Sequence, residues 1–393
     1  MRSTTRTIGP SLIDERRNEL AIIGAGLSGL LTAWRVAEVN PDVTVSIYDR
    51  ASELSGRHTW SFNLSDVDAH LFDALRPHCE AVWESYDVKF PNRERTLEIG
   101  YASTNDEHLI DLLQPYVDSG RISLHLGREV GVADISATAV LDASGYASRD
   151  DTWEGWQKFV GRRIVTRQPH GVERPVIMDA TVAQIDGYRF FYLLPYGPNE
   201  LLVEDTYFSD VAALSENAIA HRIENYIADK GWEIERIVFD EKGVLPMTTA
   251  TSRDDDDPTI GLRGGFSIAA TGFTFPAALR TAEAIAQRIK TSGLPGIETY
   301  VPQLRKTHIG RERYARLLNR MFFSAADPDR RYVVLQRFYG LREGLIARFY
   351  RNGLTWRDKL RILVGKPPVP VTRALYNFSE KAYMRRHRRE RRR

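Results

Sequence analysis

The pattern of hydrophobic and polar positions near the start of the chain predicts a strand, a tight turn and a helix in direct succession. Residues 20–23 form an apolar run that ends at three glycines with GxGxxG spacing, Gly24, Gly26 and Gly29, and a helical spacing of apolar residues follows. In such units the first glycine lets the strand turn, the second lets the backbone approach a pyrophosphate, and the third lets the helix pack on the strand. The pattern therefore predicts a unit that binds a dinucleotide.

A second strand completes this unit. Residues 44–48 have the composition of a buried strand and end at Asp49, about twenty residues beyond Gly29. An acidic residue at this point accepts hydrogen bonds from ribose hydroxyls, and the helix N-terminus presents free N–H groups to the phosphates. An ordinary strand–helix–strand unit with a glycine-rich turn is the alternative. The combination of strands, glycines, helix and terminal acid favours dinucleotide binding.

Two later segments are predicted to return the chain to the same nucleotide. Residues 139–142 have the pattern of a buried strand that breaks at Gly145. Residues 266–270 have the pattern of another strand, followed by a turn at Thr271 and Gly272 and then by a helix. A helix that begins at such a turn directs its N-terminus at the edge of the sheet, so we expect both turns to lie near the cofactor.

The middle of the chain changes to short β-like runs rich in aromatic residues. A hairpin is predicted from residues 188–194 and 201–208, and period-two alternation in its second strand places Glu204 and Asp205 on opposite faces. At most one of these carboxyl groups can face an aromatic-lined space, where desolvation would raise its pKa and keep it protonated at neutral pH. A solvated pair on an edge strand is the alternative.

His58 lies in a loop after the second strand, close to Trp60. Three roles are open for it: a proton donor, a contact to the cofactor, or a loop histidine that caps a turn. Residue chemistry alone favours the last of these.

The predicted organisation has a discontinuous dinucleotide-binding domain of residues 19–150 and 240–300, interrupted by a mainly antiparallel substrate domain of residues 151–239. Residues 301–371 form a helical region dense in Arg, Phe and Tyr. Its helices suit either contact with an anionic lipid surface or packing on the body of the enzyme. Residues 372–393 form a basic tail that we expect to be disordered.

Composition narrows the class of protein. The 393-residue chain has a net charge of +2, which does not favour a nucleic-acid partner. Its one cysteine, Cys79, excludes an intramolecular disulfide and any cysteine-based metal cluster, and we expect no metal site. We expect no secretory signal and no membrane-spanning helix, because no apolar run approaches about twenty residues. The expected location is the cytoplasm, or the cytoplasmic face of the inner membrane as a peripheral protein.

These residues resemble those of the bacterial lycopene β-cyclases over nearly the whole chain. The resemblance is specific because several of the matching motifs are peculiar to that family. The motifs are GAGLSGLL at 24–31, HTWSF at 58–62, IMDATV at 177–182, GYRFFYLLP at 187–195, LLVEDT at 201–206, TGFTFP at 271–276, NRMFF at 319–323, RFYGL at 337–341 and GKPPVPV at 365–371.

The resemblance implies an α/β fold of the glutathione-reductase or hydroxylase kind, with a Rossmann-type FAD-binding domain, an inserted antiparallel β substrate domain and a helical C-terminal region. It implies reduced FAD, NAD(P)H as the transient reductant, and cyclisation of the linear ψ-ends of lycopene to β-ionone rings without net redox change. The essential acid of the LLVEDT motif corresponds to Glu204. Under this resemblance Asp205 becomes a supporting residue and His58 a second candidate for catalysis.

Two features depart from the family. Residues 55–57 read Ser-Gly-Arg where many relatives have Gly-Gly-Asn, and the arginine-rich extension after Tyr383 is peculiar to this chain.

Two other functions are compatible with the fold: an FAD-dependent monooxygenase of an apolar or isoprenoid substrate, and a non-catalytic isoprenoid carrier. Mono- or bicyclisation, the deprotonating base and the oligomeric state stay open.

Overall fold

The computed structural model describes residues 19–54, 58–364 and 369–391. The departure at residues 55–57 and part of the GKPPVPV motif lie outside the described residues. The strands are β1 (Glu19–Ile23), β2 (Thr44–Tyr48), β3 (Thr59–Asn63), β4 (Ala81–Trp83), β5 (Tyr86–Phe90), β6 (Arg93–Leu97), β7 (Tyr101–Asn105), β8 (Ile122–His125), β9 (Ala139–Asp142), β10 (Thr152–Thr166), β11 (Val176–Asp179), β12 (Tyr188–Pro195), β13 (Glu200–Ser209) and β14 (Ile234–Thr251).

Helices alternate with these strands and then dominate the C-terminal part of the described chain. They are α1 (Leu27–Val39), α2 (Ala69–Leu75), α3 (Asp106–Asp118), α4 (Glu216–Asp229), α5 (Phe275–Ser292), α6 (Ile297–Arg311), α7 (Arg313–Asn319), α8 (Arg331–Phe338), α9 (Glu343–Tyr350), α10 (Trp356–Leu363), α11 (Val371–Phe378) and α12 (Glu380–Arg391). A six-residue π-helix, Arg320–Ala325, joins α7 to the segment that leads into α8.

The N-terminal unit is a parallel sheet in the order β8-β2-β1-β9. Strand β1 pairs in parallel with β2 and with β9, so the first strand lies between the second strand and the returning strand. Helices α1 and α5 pack together and bury apolar side chains such as Leu30 and Ile285. This confirms the predicted Rossmann-type arrangement and places the carboxyl ends of β1 and β9 side by side.

A seven-stranded sheet has the order β14-β10-β13-β12-β11-β5-β6. All of its pairings are antiparallel except that of β11 with β5. Strands β5 and β6 of this sheet lie within residues 19–150, the range predicted for the nucleotide-binding domain. A three-stranded sheet in the order β3-β7-β4 completes the sheets of the described residues.

The two faces of the seven-stranded sheet have different partners. One face packs against α4, where Phe191 stacks on Tyr226 with ring centroids 3.8 Å apart. The other face carries Phe190, Leu202 and Phe208, which form part of an apolar cluster with the helices near the C-terminus. The division follows the period-two alternation of the strands and leaves one aromatic face turned toward the nucleotide unit.

Two local expectations are wrong, the strand at residues 266–270 and the disorder of the tail from residue 372. Residues 266–270 form turns instead of a strand, because Gly265 has a φ of +74° and the N–H groups of Thr271 and Gly272 donate back to the Ile268 carbonyl.

The tail expected to be disordered from residue 372 is helical as far as Arg391. Buried polar contacts explain its order. The Arg320 guanidinium donates to the carbonyls of Asn377 and Phe378, and Glu380 accepts a hydrogen bond from Arg316 at 2.7 Å. Tyr383 is buried against Trp153. Within the described ranges, no helix has both the length and the hydropathy needed to cross a membrane.

Candidate active site

A cavity of about 430 Å³ lies between the nucleotide unit and the aromatic face of the seven-stranded sheet. The N-terminus of α1, the turns that contain Gly145 and Thr271, and strands β10 to β13 contribute to its wall, together with residues of α8 and α9. The cavity therefore brings together six of the residues singled out from the sequence: Gly26, His58, Gly145, Glu204, Thr271 and Gly272.

The glycine turn has the close backbone contacts that its sequence predicts. Gly24 has a φ of +103°, and a Cβ there would lie 2.5 Å from the Ala143 carbonyl oxygen. A Cβ on Gly29 would overlap the Gly24 carbonyl oxygen, whereas the Cβ position of Gly26 has no atom within 4 Å. Gly24 and Gly29 thus close the β1–α1 turn, and Gly26 leaves open space for a ligand at the helix N-terminus.

Asp49 lies at the end of β2, outside the cavity wall. Its carboxylate accepts the Ala25 N–H at 2.7 Å and the Ala51 N–H at 2.8 Å. Asp49 therefore holds the glycine turn in place. It lies beside the open N-terminus of α1, where the ribose of a dinucleotide would be expected.

The two returning turns meet at the cavity. Gly145, with a φ of +90°, follows β9, and Gly272, with a φ of +71°, precedes α5. The Thr271 hydroxyl accepts the Phe273 N–H at 3.2 Å and so fixes the turn. The loop around Thr271 approaches the sheet face and the glycine turn although its predicted strand does not form.

Glu204 is the acidic residue of β13 that faces the cavity. The Thr206 hydroxyl donates a hydrogen bond to its carboxylate. Burial raises the pKa of Glu204 to about 7, and the hydrogen bond from Thr206 opposes that rise. Aromatic side chains of Phe190, Tyr192 and Phe208 line the same space. The site thus presents a carboxyl group that is partly protonated at neutral pH and has aromatic walls.

Asp205 is on the opposite face and does not reach the cavity. The Arg189 guanidinium donates two hydrogen bonds to its carboxylate, at 2.8 and 3.0 Å, and the Tyr207 hydroxyl donates a third at 2.6 Å. Burial raises the pKa of Asp205, while Arg189 and Tyr207 act against the rise. Its contacts are those of a buried ion pair beneath the sheet.

His58 lines the cavity at the start of β3, with its ring centroid 6.3 Å from that of Trp60. Beside it, Ser61 and Tyr192 are joined by a hydrogen bond of 2.6 Å, and the Tyr101 hydroxyl donates to Ser61 at 3.0 Å. Polar groups of β3 therefore meet the sheet face close to Glu204, whose cross-strand neighbour is Tyr192.

Glu241 was not among the residues predicted from the sequence. It lies on β14, buried, and pairs in register with Gly161 of β10, which on its other side pairs with Glu204. Its Oε2 accepts the Thr59 N–H at 2.9 Å. Burial and the nearby Glu204 raise the pKa of Glu241 to about 8. Only the order of the strands brings the two glutamates together, so no local motif signals the second one.

A second apolar cavity, of about 200 Å³, adjoins the first. Phe208, Leu335, Phe338 and Phe349 belong to the walls of both. Residues of α10 and α11 close the outer side of the second cavity. The two cavities therefore share part of their walls, and the second extends as far as the two helices.

The outer surfaces of α10 and α11 are unusually apolar. The exposed apolar patch, as we call it, consists of side chains between 43% and 70% exposed: Trp356, Leu360, Leu363, Val364, Val371, Leu375, Tyr376 and Phe378. Basic side chains, Arg357 and Arg361 among them, lie on the same helix as part of the patch. This combination is typical of a surface that contacts a membrane interface.

The residues at the cavity fit a flavin dinucleotide. Gly26 leaves open space at a helix N-terminus, where phosphates bind, and the Gly145 and Gly272 turns border the same space. Within the described residues, no group of three or more His, Cys, Asp or Glu side chains is arranged to hold a metal ion.

Comparison with solved structures identifies the class of fold. The chain is similar to a geranylgeranyl bacteriochlorophyll reductase-like protein from Thermoplasma acidophilum, with a TM-score of 0.60 and 14% identity over 92% of this chain and 100% of that one. It is also similar to the flavin-dependent brominase Bmp2, with a TM-score of 0.58 and 13% identity over 87% and 96% of the two chains. The fold is therefore the Rossmann-type fold of flavin-dependent enzymes.

Comparison of sequences then identifies the family. A family model described as "Lycopene cyclase protein" matches residues 19–376. The lycopene beta-cyclase of Pantoea ananas is 38% identical over 91% of this chain and 97% of its own length. That of Paracoccus sp. (strain N81106 / MBIC 01143) is 37% identical over 94% and 99%. The chain belongs to the lycopene cyclase family, and it is an enzyme of the carotenoid-cyclase class.

Proposed function

We propose that this enzyme converts the ψ-ends of lycopene to β-ionone rings, giving γ-carotene and then β-carotene, with Glu204 as the proton donor. The observation that carries the proposal is a buried carboxyl group with a pKa near neutrality in an aromatic-walled cavity beside the glycine turns. Protonation of an alkene requires an acid that is protonated, dry and close to the double bond.

The reaction begins when the Glu204 O–H bond breaks and its proton forms a C–H bond at the terminal double bond. The neighbouring double bond then attacks the resulting tertiary cation and closes the ring. A base removes the ring proton whose loss yields the β double bond, so the product is an isomer of the substrate. Phe190 and Phe208 line the cavity and would stabilise the cation through their ring faces while excluding water.

FAD in its reduced form is the cofactor that we propose, with NAD(P)H as the transient reductant. Gly24, Gly26, Gly29 and Asp49 would hold its adenosine and pyrophosphate half. Gly145, Thr271 and Gly272 would border the flavin end. When bound, reduced flavin supplies negative charge beside the cationic centre.

The residues of this site have different proposed roles. Glu204 donates the proton, and His58, which lines the same cavity, is a second candidate for contact with substrate or cofactor. Asp205 supports Glu204 from beneath the sheet, by holding β12 and β13 together through Arg189.

We also propose that the enzyme docks on the cytoplasmic face of the inner membrane through the exposed apolar patch, and receives linear carotenoids there. The patch borders the second cavity, which shares five apolar wall residues with the first. Basic side chains on α10 complement an anionic lipid surface. An apolar substrate would then pass from lipid to Glu204 without crossing water.

The test is expression of the chain in a lycopene-accumulating bacterium, with pigment analysis. The wild type should convert lycopene to β-carotene, and Glu204→Gln should leave lycopene unchanged while retaining flavin. Glu216→Gln is the matched control, because Glu216 is exposed on α4 and is not part of the cavity wall. Lycopene left unchanged by a folded, flavin-loaded wild type, or an oxygenated product formed with consumption of O₂, would contradict the proposal.

A further inference from the structure

We propose that Glu204 and Glu241 form a carboxyl pair that shares one proton, in which Glu241 acts as the positioning residue that keeps Glu204 protonated. This inference rests on the proposed function, because it assigns a role in the proton transfer made by Glu204. It adds a second acidic residue from a different strand, β14, to the site.

The pair is produced by the register of three neighbouring strands. Glu204 of β13 and Glu241 of β14 both pair with Gly161 of β10, so the three residues form a row on one face of the sheet. Strands are about 4.8 Å apart, which puts the Cα atoms of the two glutamates about 10 Å apart. Their side chains are long enough to span most of that distance from opposite sides.

Gly161 leaves the space that lets the carboxyl groups approach. A Cβ at this position would lie 3.0 Å from the Cγ atom and 3.3 Å from the Oε1 atom of Glu241. The side chain of Glu241 therefore lies over Gly161, in the direction of Glu204. A larger residue in β10 would displace it.

One oxygen of Glu241 has no protein partner. Its Oε2 accepts the Thr59 N–H, but its Oε1 is buried and makes no hydrogen bond to the residues that the structure describes. A buried carboxylate oxygen without a donor is costly, and a proton held between two carboxyl groups removes that cost. The unpaired atom is the one that lies over Gly161 and toward Glu204.

The surrounding charges leave the pair without a strong counter-ion. Arg163 of β10 opposes the rise of the Glu241 pKa, but its guanidinium already contacts Glu80 at 2.5 Å and Glu200 at 2.8 Å. Asp205 raises the pKa of Glu204 from beneath the sheet. Two like carboxyl groups in such a place lose their protons in separate steps, and near neutral pH the pair holds one.

The charged neighbours of Glu241 on its own strand are paired with other side chains. Asp240 pairs with Arg162 at 2.8 Å, and the Lys242 ammonium pairs with Glu216 of α4 at 2.8 Å, although Lys242 also contributes to the cavity wall. On the cavity face, the titratable His58 lies one residue before Thr59, and the other polar neighbours include the hydroxyl groups of Thr206 and Tyr192.

The carboxyl pair can supply the proton used in each catalytic cycle and recover it at the end. One carboxyl group is protonated and the other ionised when substrate binds. The Glu204 O–H bond breaks as the new C–H bond forms, and after ring closure the proton lost from the ring returns to the pair. The pair therefore starts and ends each cycle with one proton, and no external acid is consumed.

Glu241→Gln tests this role because the amide keeps the shape and the Thr59 hydrogen bond but removes the second ionisable group. The cyclase activity of the wild type should fall with rising pH through the higher pKa of the pair. In Glu241→Gln the fall should move about one pH unit toward acid, a loss of roughly tenfold on the alkaline side relative to the wild type. Asp240→Asn, one residue away on the opposite face, should leave the pH profile unchanged.

An alkaline limb that stays in place in Glu241→Gln would overturn the inference, even if the overall rate falls. A second readout does not depend on the reaction. The infrared C=O band of protonated carboxyl groups, titrated in the resting flavoprotein, should lose intensity at lower pH in Glu241→Gln than in the wild type, and identical titrations would also overturn the pair. A wild type that fails to cyclise lycopene contradicts the proposed function alone, since the infrared titration still decides whether the pair exists.

Discussion

Glu204 and Asp205 are adjacent in the chain and lie on opposite faces of the seven-stranded sheet. The Glu204 carboxyl group faces the cavity, whereas the Asp205 carboxylate is buried against Arg189 on the other side. The pleat of β13 thus separates an acid suited to proton transfer from one that forms an ion pair. The two positions should respond very differently to loss of their charge.

Loss of the charge at Asp205 should destabilise the fold. Asp205→Asn leaves the Arg189 guanidinium buried without its carboxylate, and breaking a buried pair in this way costs roughly 3–5 kcal/mol. We expect a marked fall in the free energy of unfolding, measured by chemical denaturation, whereas Glu204→Gln should change it little.

The double variant Arg189→Met with Asp205→Leu provides the control, because it removes both charges and should recover much of the lost stability. If Asp205→Asn unfolds at the same denaturant concentration as the wild type, Asp205 has no supporting role of the kind described.

Local patterns predicted the parts of this fold that depend on neighbouring residues. The β1–α1–β2 unit and the opposite orientations of Glu204 and Asp205 follow from spacing along one segment, and the structure has both. The turn at Gly272 was also predicted, although the strand expected before it is absent.

Features that depend on strand order were not predictable in this way. Glu241 reaches the site because β10 lies between β13 and β14, and nothing near residue 241 indicates that order. The helical tail is a similar case, since its order depends on contacts such as that of Glu380 with Arg316, 64 residues earlier in the chain. Long-range pairing of this kind has no local signature.

The stability of the protein should fall as the pH rises from about 6.5 to 8. Burial raises the pKa of Glu241 to about 8 and that of Glu312 to about 7, so the folded state binds more protons than the unfolded state in this range. Each group that remains protonated only in the folded state contributes a slope of up to about 1.4 kcal/mol per pH unit.

The pH range of this prediction matters because, at lower pH, the titration of His308 changes the stability in the opposite sense. Burial lowers its pKa to about 4, so its contribution grows with pH up to about 6.5 and is constant above. Unfolding temperatures measured from pH 6.5 to 8 should decline in the wild type and less steeply in Glu241→Gln, with Glu216→Gln as the exposed control. An equal decline in all three would show that the Glu204–Glu241 pair holds no additional proton in the folded state over this range.

Gly29→Ala should weaken both the fold and the proposed flavin site. A Cβ at Gly29 would overlap the Gly24 carbonyl oxygen, which forces α1 away from the turn. Overpacking of this kind costs about 1–3 kcal/mol, and we expect lower flavin content after purification, measured by absorbance. Gly310→Ala is the matched control, because its Cβ position has no atom within 4 Å and it lies within α6. Full flavin content in Gly29→Ala would be inconsistent with a phosphate site at this turn.

Binding to anionic vesicles should depend on the exposed apolar patch. Leu360 and Leu375 are 53% and 70% exposed on α10 and α11, and transfer of an apolar side chain into lipid is worth about 1.5–3 kcal/mol. Leu360→Glu combined with Leu375→Glu should therefore weaken binding to phosphatidylglycerol-containing vesicles by more than about tenfold in a flotation assay. High salt should weaken the wild type as well, since basic side chains contribute.

Val211→Glu separates the patch from a general effect of added charge. Val211 is also 53% exposed, but it lies in the segment between β13 and α4 and belongs to neither α10 nor α11. This variant should bind vesicles like the wild type and keep its activity. If it loses binding as strongly as the double variant, the membrane contact does not reside on α10 and α11. If only the double variant loses binding, and its activity falls with membrane-held lycopene but not with lycopene dispersed in detergent, the patch delivers substrate to the cavity.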